Sequence, residues 1–304
     1  VQEIGLDRHF FNLRATKMVN PLKIRQMKPQ DLQLALNWAA AEGWNPGLHD
    51  ATAFYAADPT GFSIGEVDGE PISCISAVCY DRTFAFIGLY ITKLECRGQG
   101  YGKQIWQAAW QQLAERLDPD RGSIGLDSVV EREATYRQSG FIPAYRHIRY
   151  VCETANSITL PTGIVPLRDI PLAEVIRYDA ELFPVSRPQF LKPWISVAGG
   201  VACGVVDAGK LKGYGVLRPC RQGFKIGPLF ADSLEIAECI FQALTSHAAP
   251  QSVFIDIPDL NPAMGFLTQK YNLQPVFTCI RMYCYRIPLT DVDRIFGATT
   301  LELG

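Results

Sequence analysis

The chain has 304 residues, 48% hydrophobic and 20% charged, which suits about two soluble globular domains. A net charge of −2 with scattered Lys and Arg excludes an electrostatic footprint for nucleic acid, and no apolar run reaches the ~18 residues of a membrane span. No secretory signal is visible; nine cysteines without a CxxC pair, among them Cys74, Cys79, Cys203, Cys279 and Cys284 in apolar segments, read as reduced core thiols of a cytoplasmic protein. The four histidines lack metal-ligand spacing, so no metal site is expected.

Residues 1–20 are set aside as an extension. A strand is predicted over 21–27. Pro29 and Asp31 then open a helix that runs to about Ala41 and is broken by Gly43-Trp44-Asn45-Pro46-Gly47. A short helix covers 50–57. Strands over 62–67 and 71–80 are joined by Asp68-Gly69, a hairpin signal, and 84–91 is apolar on both faces, as a central strand should be. After the glycine-rich run Arg97-Gly-Gln-Gly-Tyr-Gly102, a helix starts at Lys103, with Ile105, Ala109, Leu113 and Leu117 on one side. A strand over 123–129, a helix over 131–139 closed by Gly140, and a strand over 145–152 complete the first half.

A linker is expected over 154–163. The second half repeats the rhythm: a strand at 164–167, helical stretches at 171–182 and 187–196, and strands at 201–206, 211–217 and 224–229. A helix at 234–247, a strand at 253–257, a helix at 261–271 and a strand at 276–287 follow. Phe141-Ile-Pro143-Ala-Tyr145-Arg-His-Ile148-Arg149 matches Leu273-Gln-Pro275-Val-Phe277-Thr-Cys-Ile280-Arg281 without a gap, which argues for internal duplication. Ile87-Gly88-Leu89 likewise finds Ile226-Gly227-Pro228, but the second copy has no arginine and no glycine after that point.

A glycine-rich loop that leads into a helix start suits an anion, because the first-turn N–H groups and the helix dipole point at it. A Walker A loop is excluded by Arg97 and Gln104, and a GxGxxG fingerprint by Lys103. The remaining pattern, Arg-x-x-Gly-x-Gly, resembles the acyl-CoA pyrophosphate loop of the GCN5-related N-acetyltransferases (GNAT). Tyr136-Arg-Gln-Ser-Gly140-Phe141 is similar to that superfamily's Tyr-x-x-x-Gly-Phe segment. The segments around 42–47, 125–130 and 145–150, with the closing 296–304, resemble a bacterial group in which a GNAT domain precedes a second, GNAT-like one.

The resemblance implies an α/β fold of tandem GNAT-like domains, each a mixed, mostly antiparallel twisted sheet flanked by helices. The catalytic domain would cover 21–153, the degenerate one 164–290, and a tail 291–304. It also implies an acetyltransferase that carries an acyl group from acetyl-CoA to a primary amine of a small molecule, a lysine or an N-terminus. Ile91, Thr92, Arg97, Gly98, Gln99, Gly100, Tyr101, Gly102 and Lys103 would hold coenzyme A, with Tyr136 protonating the leaving thiolate.

The base is missing from its usual place, since 84–90 carries no acid. Asp127 is taken as the first candidate, with Glu42, His49 and Asp50 as others. Trp44, Asn45, His49 and Asp50 are expected on the acceptor side. The second half, with Thr268 where Tyr136 stands, would be non-catalytic; it would cover the acceptor cleft, supply part of it, or form a homodimer. A non-catalytic acyl-CoA sensor is the competing reading.

Overall fold

The computed structural model describes residues 20–153 and 163–304. The expected extension up to residue 19 and the linker over 154–162 lie outside the described residues. The first half comprises β1 (Lys23–Gln26), α1 (Pro29–Ala41), α2 (Asp50–Ala57), β2 (Phe62–Val67), β3 (Glu70–Cys79), β4 (Phe84–Thr92), α3 (Tyr101–Arg116), β5 (Ser123–Val129), α4 (Glu133–Gln138) and β6 (Ile142–Glu153). The second comprises β7 (Ile164–Pro166), α5 (Leu172–Asp179), α6 (Pro188–Trp194), β8 (Val201–Asp207), β9 (Lys210–Pro219), β10 (Phe224–Ala231), α7 (Leu234–Ala248), β11 (Ser252–Pro258), α8 (Met264–Lys270), β12 (Gln274–Cys284) and β13 (Ile295–Gly297).

Local chemistry sets the element ends. Pro29 starts α1, and the Asp31 carboxylate accepts from the Lys28 N–H at 2.8 Å, closing a capping box. In α3 the apolar stripe Ile105, Ala109 and Leu113 is fully buried against the sheet, as its four-residue spacing demands. The helix begins at Tyr101, two residues earlier than expected, because Gly100 takes the left-handed conformation that stops the preceding turn.

The two mixed sheets are joined into one, and their last strands are exchanged. The order is β1-β2-β3-β4-β5-β12-β6-β11-β10-β9-β8-β7. β5 pairs with β12 of the other half, and β11 with β6. The duplicated strands β6 and β12 also pair with each other, antiparallel, with His147 opposite Cys279. Phe277 lies opposite Arg149 and Arg281 near Tyr145, so the matched segments are related by a local two-fold through the His147–Cys279 pair.

Exchange places an arginine of each half beside an aspartate of the other. Arg281 forks onto Asp127 at 2.7 and 2.8 Å, and Arg149 onto Asp256 at 2.7 and 2.9 Å, all four fully or nearly fully buried. The helical layer is shared as well: Phe54 of α2 stacks on Trp194 of α6 at 6.2 Å, inside one apolar cluster that spans both halves. The five cysteines expected in the core are buried and free.

The chain's last segment packs tightly. β13 pairs with β10, Thr299 and Thr300 are buried, and Leu303 is fully buried, its carbonyl accepting from the Tyr80 hydroxyl at 2.9 Å.

Candidate functional site

β4 and β5 run parallel from Phe84 opposite Ser123 to Ile87 opposite Leu126, and then part. Just beyond, Leu89 has φ 44° and the register with β3 shifts, a β-bulge that interrupts the ladder. The strands splay into a cleft of about 430 Å³. The glycine loop lines it together with Trp44, Arg149, Phe277, Leu301 and Glu302.

At the loop, Gly98 and Gly100 have φ of 77° and 87°, which only glycine adopts without strain. A Cβ on Gly102 would meet the Tyr90 hydroxyl at 2.9 Å, so the first turn of α3 lies flat on β4 because that residue is glycine. Gly100 at the N-cap supplies no side-chain acceptor, which leaves first-turn N–H groups available. Arg97 donates from Nε to the Thr92 carbonyl at 2.8 Å and pairs with Glu42. Of the residues expected here, Ile91, Thr92, Arg97, Gly98, Gly100, Gly102 and Lys103 line the cleft. Gln99 and Tyr101 do not: Gln99 donates to the Glu95 carbonyl at 3.0 Å, and the Tyr101 ring is buried.

Tyr136, on α4, lines the cleft from the opposite wall. Its ring packs against Trp106 at 5.6 Å and edge-on to Phe141 at 6.1 Å. Burial pushes its phenol up, with the nearby Tyr90 adding to the shift and Arg132 opposing it, so it stays protonated at neutral pH.

Asp127 borders the cleft but is committed to partners. Besides the Arg281 fork, His147 Nδ1 stands 3.2 Å from its Oδ1. Burial alone would raise its pKa; Arg281 and His147 outweigh this and hold it below the ordinary carboxylate range. A carboxylate so stabilised is a weak proton acceptor, so its expected role as base gives way to the ion pair that ties the halves together. Asp127, His147 and Cys279 place ligand atoms within 4.8 Å of one another. As a donor set they do not fit a cation: the Arg281 guanidinium already neutralises both Asp127 oxygens, and burial pushes the Cys279 thiol well up, keeping it protonated.

On the acceptor side only Trp44 of the four expected residues lines the cleft; its carbonyl accepts from Arg149 at 2.7 Å. Asn45 is turned away, with φ 52° and its amide bonded to the Gln222 N–H and carbonyl at 2.9 and 3.0 Å. Asp50 is wholly buried on Arg218 at 2.7 Å and accepts from the Gly47 N–H, while His49 is exposed outside the cleft. These three residues fasten or flank the turn against the second half, because the turn's partner is the loop after β9 and not a ligand.

Arg149, Phe277 and Glu302 were not foreseen as cleft residues. The duplicated match contained the first two, but only strand exchange brings Phe277 across. Glu302 lies in the closing segment that carried part of the resemblance, but no role was read from it there.

The sequence model of the Acetyltransferase (GNAT) family matches residues 30–141, and that of the Acetyltransferase (GNAT) domain matches 175–297. Holothin acyltransferase of a Pseudoalteromonas species is 29% identical over 279 residues, covering 90% of this chain and 92% of that protein. The uncharacterised N-acetyltransferase YitH of Bacillus subtilis is 27% identical over 201 residues, 65% of this chain and 68% of its own. In fold, a Pyrococcus horikoshii protein assigned as an acetyltransferase superposes with a TM-score of 0.79 at 22% identity, covering 97% of this chain and all of that one. A tandem GNAT protein from the clavulanic acid biosynthesis pathway superposes at 0.59 and 11% identity, covering 87% of this chain and 98% of its own. No helix among the described residues is long and apolar enough to cross a membrane. With one GNAT match in each half and an acyltransferase relative along nearly its whole length, this chain belongs to the GCN5-related N-acetyltransferase superfamily as a tandem-domain acyltransferase.

Proposed function

We propose that the chain transfers an acyl group, in the simplest case acetyl, from acyl-coenzyme A to a primary amine in the cleft between β4 and β5. The observation that carries this reading is the cleft itself: splayed parallel strands, an uncapped glycine loop at one end, and a buried phenol on the wall. The loop fits the diphosphate of coenzyme A, since Gly98 and Gly100 hold backbone shapes closed to other residues and Gly102 lets α3 approach β4. The bulge interrupts the β4 ladder where a pantetheine arm would need backbone partners.

The bound cofactor supplies the acyl group as a thioester. Arg97 and Lys103 add positive charge near the diphosphate, Ile91 and Thr92 offer backbone groups to the arm, and Gln99 and Tyr101 contribute backbone only. Backbone N–H groups by the bulge would donate to the developing oxyanion. Tyr136, held neutral, would hydrogen-bond the departing sulfur and give it a proton; the thiolate, conjugate base of a thiol of pKa ~8.5, is the weaker base, so the transfer runs uphill and is completed as the phenolate is reprotonated. The inner end, enclosed by Trp44, Phe277 and residues 301–302, suits a compact amine.

The test is thiol release from acetyl-CoA and longer acyl-CoAs against amines, amino acids and lysine peptides. Turnover on an amine is expected, and the Arg97→Ala, Gly100→Ala double variant should raise the acyl-CoA KM at least tenfold, about 1.4 kcal/mol. Tight coenzyme A binding without turnover on any acceptor would instead mark a sensor, and unchanged affinity in the double variant would remove the loop from the reading.

A further inference from the structure

We infer that Glu302, carried in on the chain's closing segment, takes the proton from the attacking amine; the inference rests on the acyltransferase reading above. Three carboxylate residues border the cleft: Glu42, Asp127 and Glu302. Glu42 is paired with Arg97 at the loop end, and Asp127 is forked onto Arg281. Among the described residues Glu302 alone of the three makes no ion pair within 4 Å.

Its position answers the missing acid of β4. Where a strand carboxylate would be sought, the chain has Gly88, and a Cβ there would stand 1.9 Å from the Glu302 carbonyl oxygen. The closing segment lies in the space a β4 side chain would fill, and it brings a carboxylate with it. It is fastened on both sides. The Ala298 N–H donates to the Asp256 carbonyl at 2.7 Å, Arg187 donates to the Thr299 hydroxyl at 2.8 Å, and the Leu303 carbonyl accepts from Tyr80.

The carboxylate is positioned too: the Thr300 hydroxyl donates to Glu302 Oε2 and accepts from the Glu302 N–H at 3.1 Å. Among the described residues the Thr300 hydroxyl is the hydrogen-bond partner of the carboxylate, through Oε2. The charges that act on Glu302 are Arg149 on β6, Arg218 on β9 and Lys225 on β10, with Asp50 on α2 opposing them. Arg149 shares the wall with it.

In the step, the amine nitrogen pair forms the N–C bond and the carbonyl π pair moves to oxygen. Glu302 accepts the nitrogen's surplus proton. The oxygen pair then re-forms the carbonyl, and the C–S bond breaks with its pair on sulfur. Tyr136 gives sulfur a proton, and the proton on Glu302 returns through solvent to the phenolate. An acceptor that arrives as an ammonium first loses one proton to Glu302, which passes it to solvent.

The experiment compares the full chain with Glu302→Gln and Glu302→Asp. For Glu302→Gln, kcat on alkylamines should fall about 10²- to 10³-fold, with the acyl-CoA KM and melting temperature unchanged. Arylamines, neutral at pH 7, should lose far less. Glu302→Asp should recover part of kcat. Wild-type kcat in Glu302→Gln would overturn the inference while leaving the acyltransferase reading intact. So would a loss of activity that travels with lost acyl-CoA affinity and a lowered melting temperature, since that marks a packing role. A wild-type chain that turns over no amine overturns both readings.

Discussion

The two halves part company at equivalent places, and each difference closes in the second half what stays open in the first. After Ile87 the strands β4 and β5 splay into a cleft; after Ile226 the strand β10 turns instead to pair with β13, which occupies the corresponding opening. The helix after β4 begins at Gly100 with no side-chain cap, whereas α7 is capped by Ser233, whose hydroxyl accepts from the Ile236 N–H at 3.4 Å. A capped helix has spent the donors an anion would need. Tyr136 faces the cleft, while Thr268 hydrogen-bonds back to the Met264 carbonyl of its own helix at 3.0 Å. Gly88 and Gly227 are alike only in that the closing segment crosses both, with Cβ-to-carbonyl approaches of 1.9 and 2.3 Å. Among the described residues the cleft thus opens in the first copy, and Phe277 and Cys279 of the second copy line part of it.

The scaffold itself remains symmetric, and that symmetry can be broken from either side. Arg281→Ala strands Asp127, and Arg149→Ala strands Asp256, each in a site with almost no solvent. Each should cost about 3–5 kcal/mol, read by chemical denaturation, because a buried carboxylate loses the guanidinium forked onto it. Similar losses are expected of the two, since strand exchange makes each pair a bond between halves. A loss below about 1 kcal/mol in one of them would mean that the two-fold is only apparent.

Chemistry, in contrast, should respond on one side only. Tyr136→Phe keeps the packing on Trp106 and Phe141 and removes the proton donor, so kcat should fall about 10²-fold with little change in acyl-CoA KM. Thr268→Ala should leave steady-state kinetics untouched. Wild-type turnover in Tyr136→Phe removes it as the acid.

The glycine loop that borders the cleft was legible in the sequence because it is local: a glycine register, an arginine and a helix start lie within a few residues, and backbone conformation dictates glycine there. The acceptor end was not. Arg149 and Phe277 were visible as a duplicated segment, yet which strand pairs with which is a long-range choice that periodicity does not encode. Asp50 and Asn45 were expected on the acceptor side; their partners, Arg218 and Gln222, lie in the other half. Glu302 sits in a segment with no periodic pattern, and its place is set by Gly88, more than two hundred residues earlier in the chain.

The smallest effect separates two acids that both join the halves. For Asp256, burial alone would raise the pKa, but Arg149 and Lys225 outweigh it and hold the carboxyl at about 2, against an ordinary 3.8. The unfolded chain therefore binds this proton at a higher pH than the folded one. The ion pair's contribution is complete above about pH 4 and is lost as pH falls through about 2, roughly 2–3 kcal/mol in all. For Asp50, burial outweighs Arg218 and pushes the carboxyl up, so its sign is reversed: folding favours the protonated form, and its cost at neutral pH eases as pH falls. Denaturation midpoints measured from about pH 7 to about pH 2 should show Asp256→Asn flattening the slope below about pH 4. Asp50→Asn should alter the slope only above that value. If both variants change the same part of the curve, the two seams do not differ in the way their surroundings require, since burial is outweighed by Arg149 and Lys225 at one aspartate, while at the other Glu302 adds to burial against Arg218.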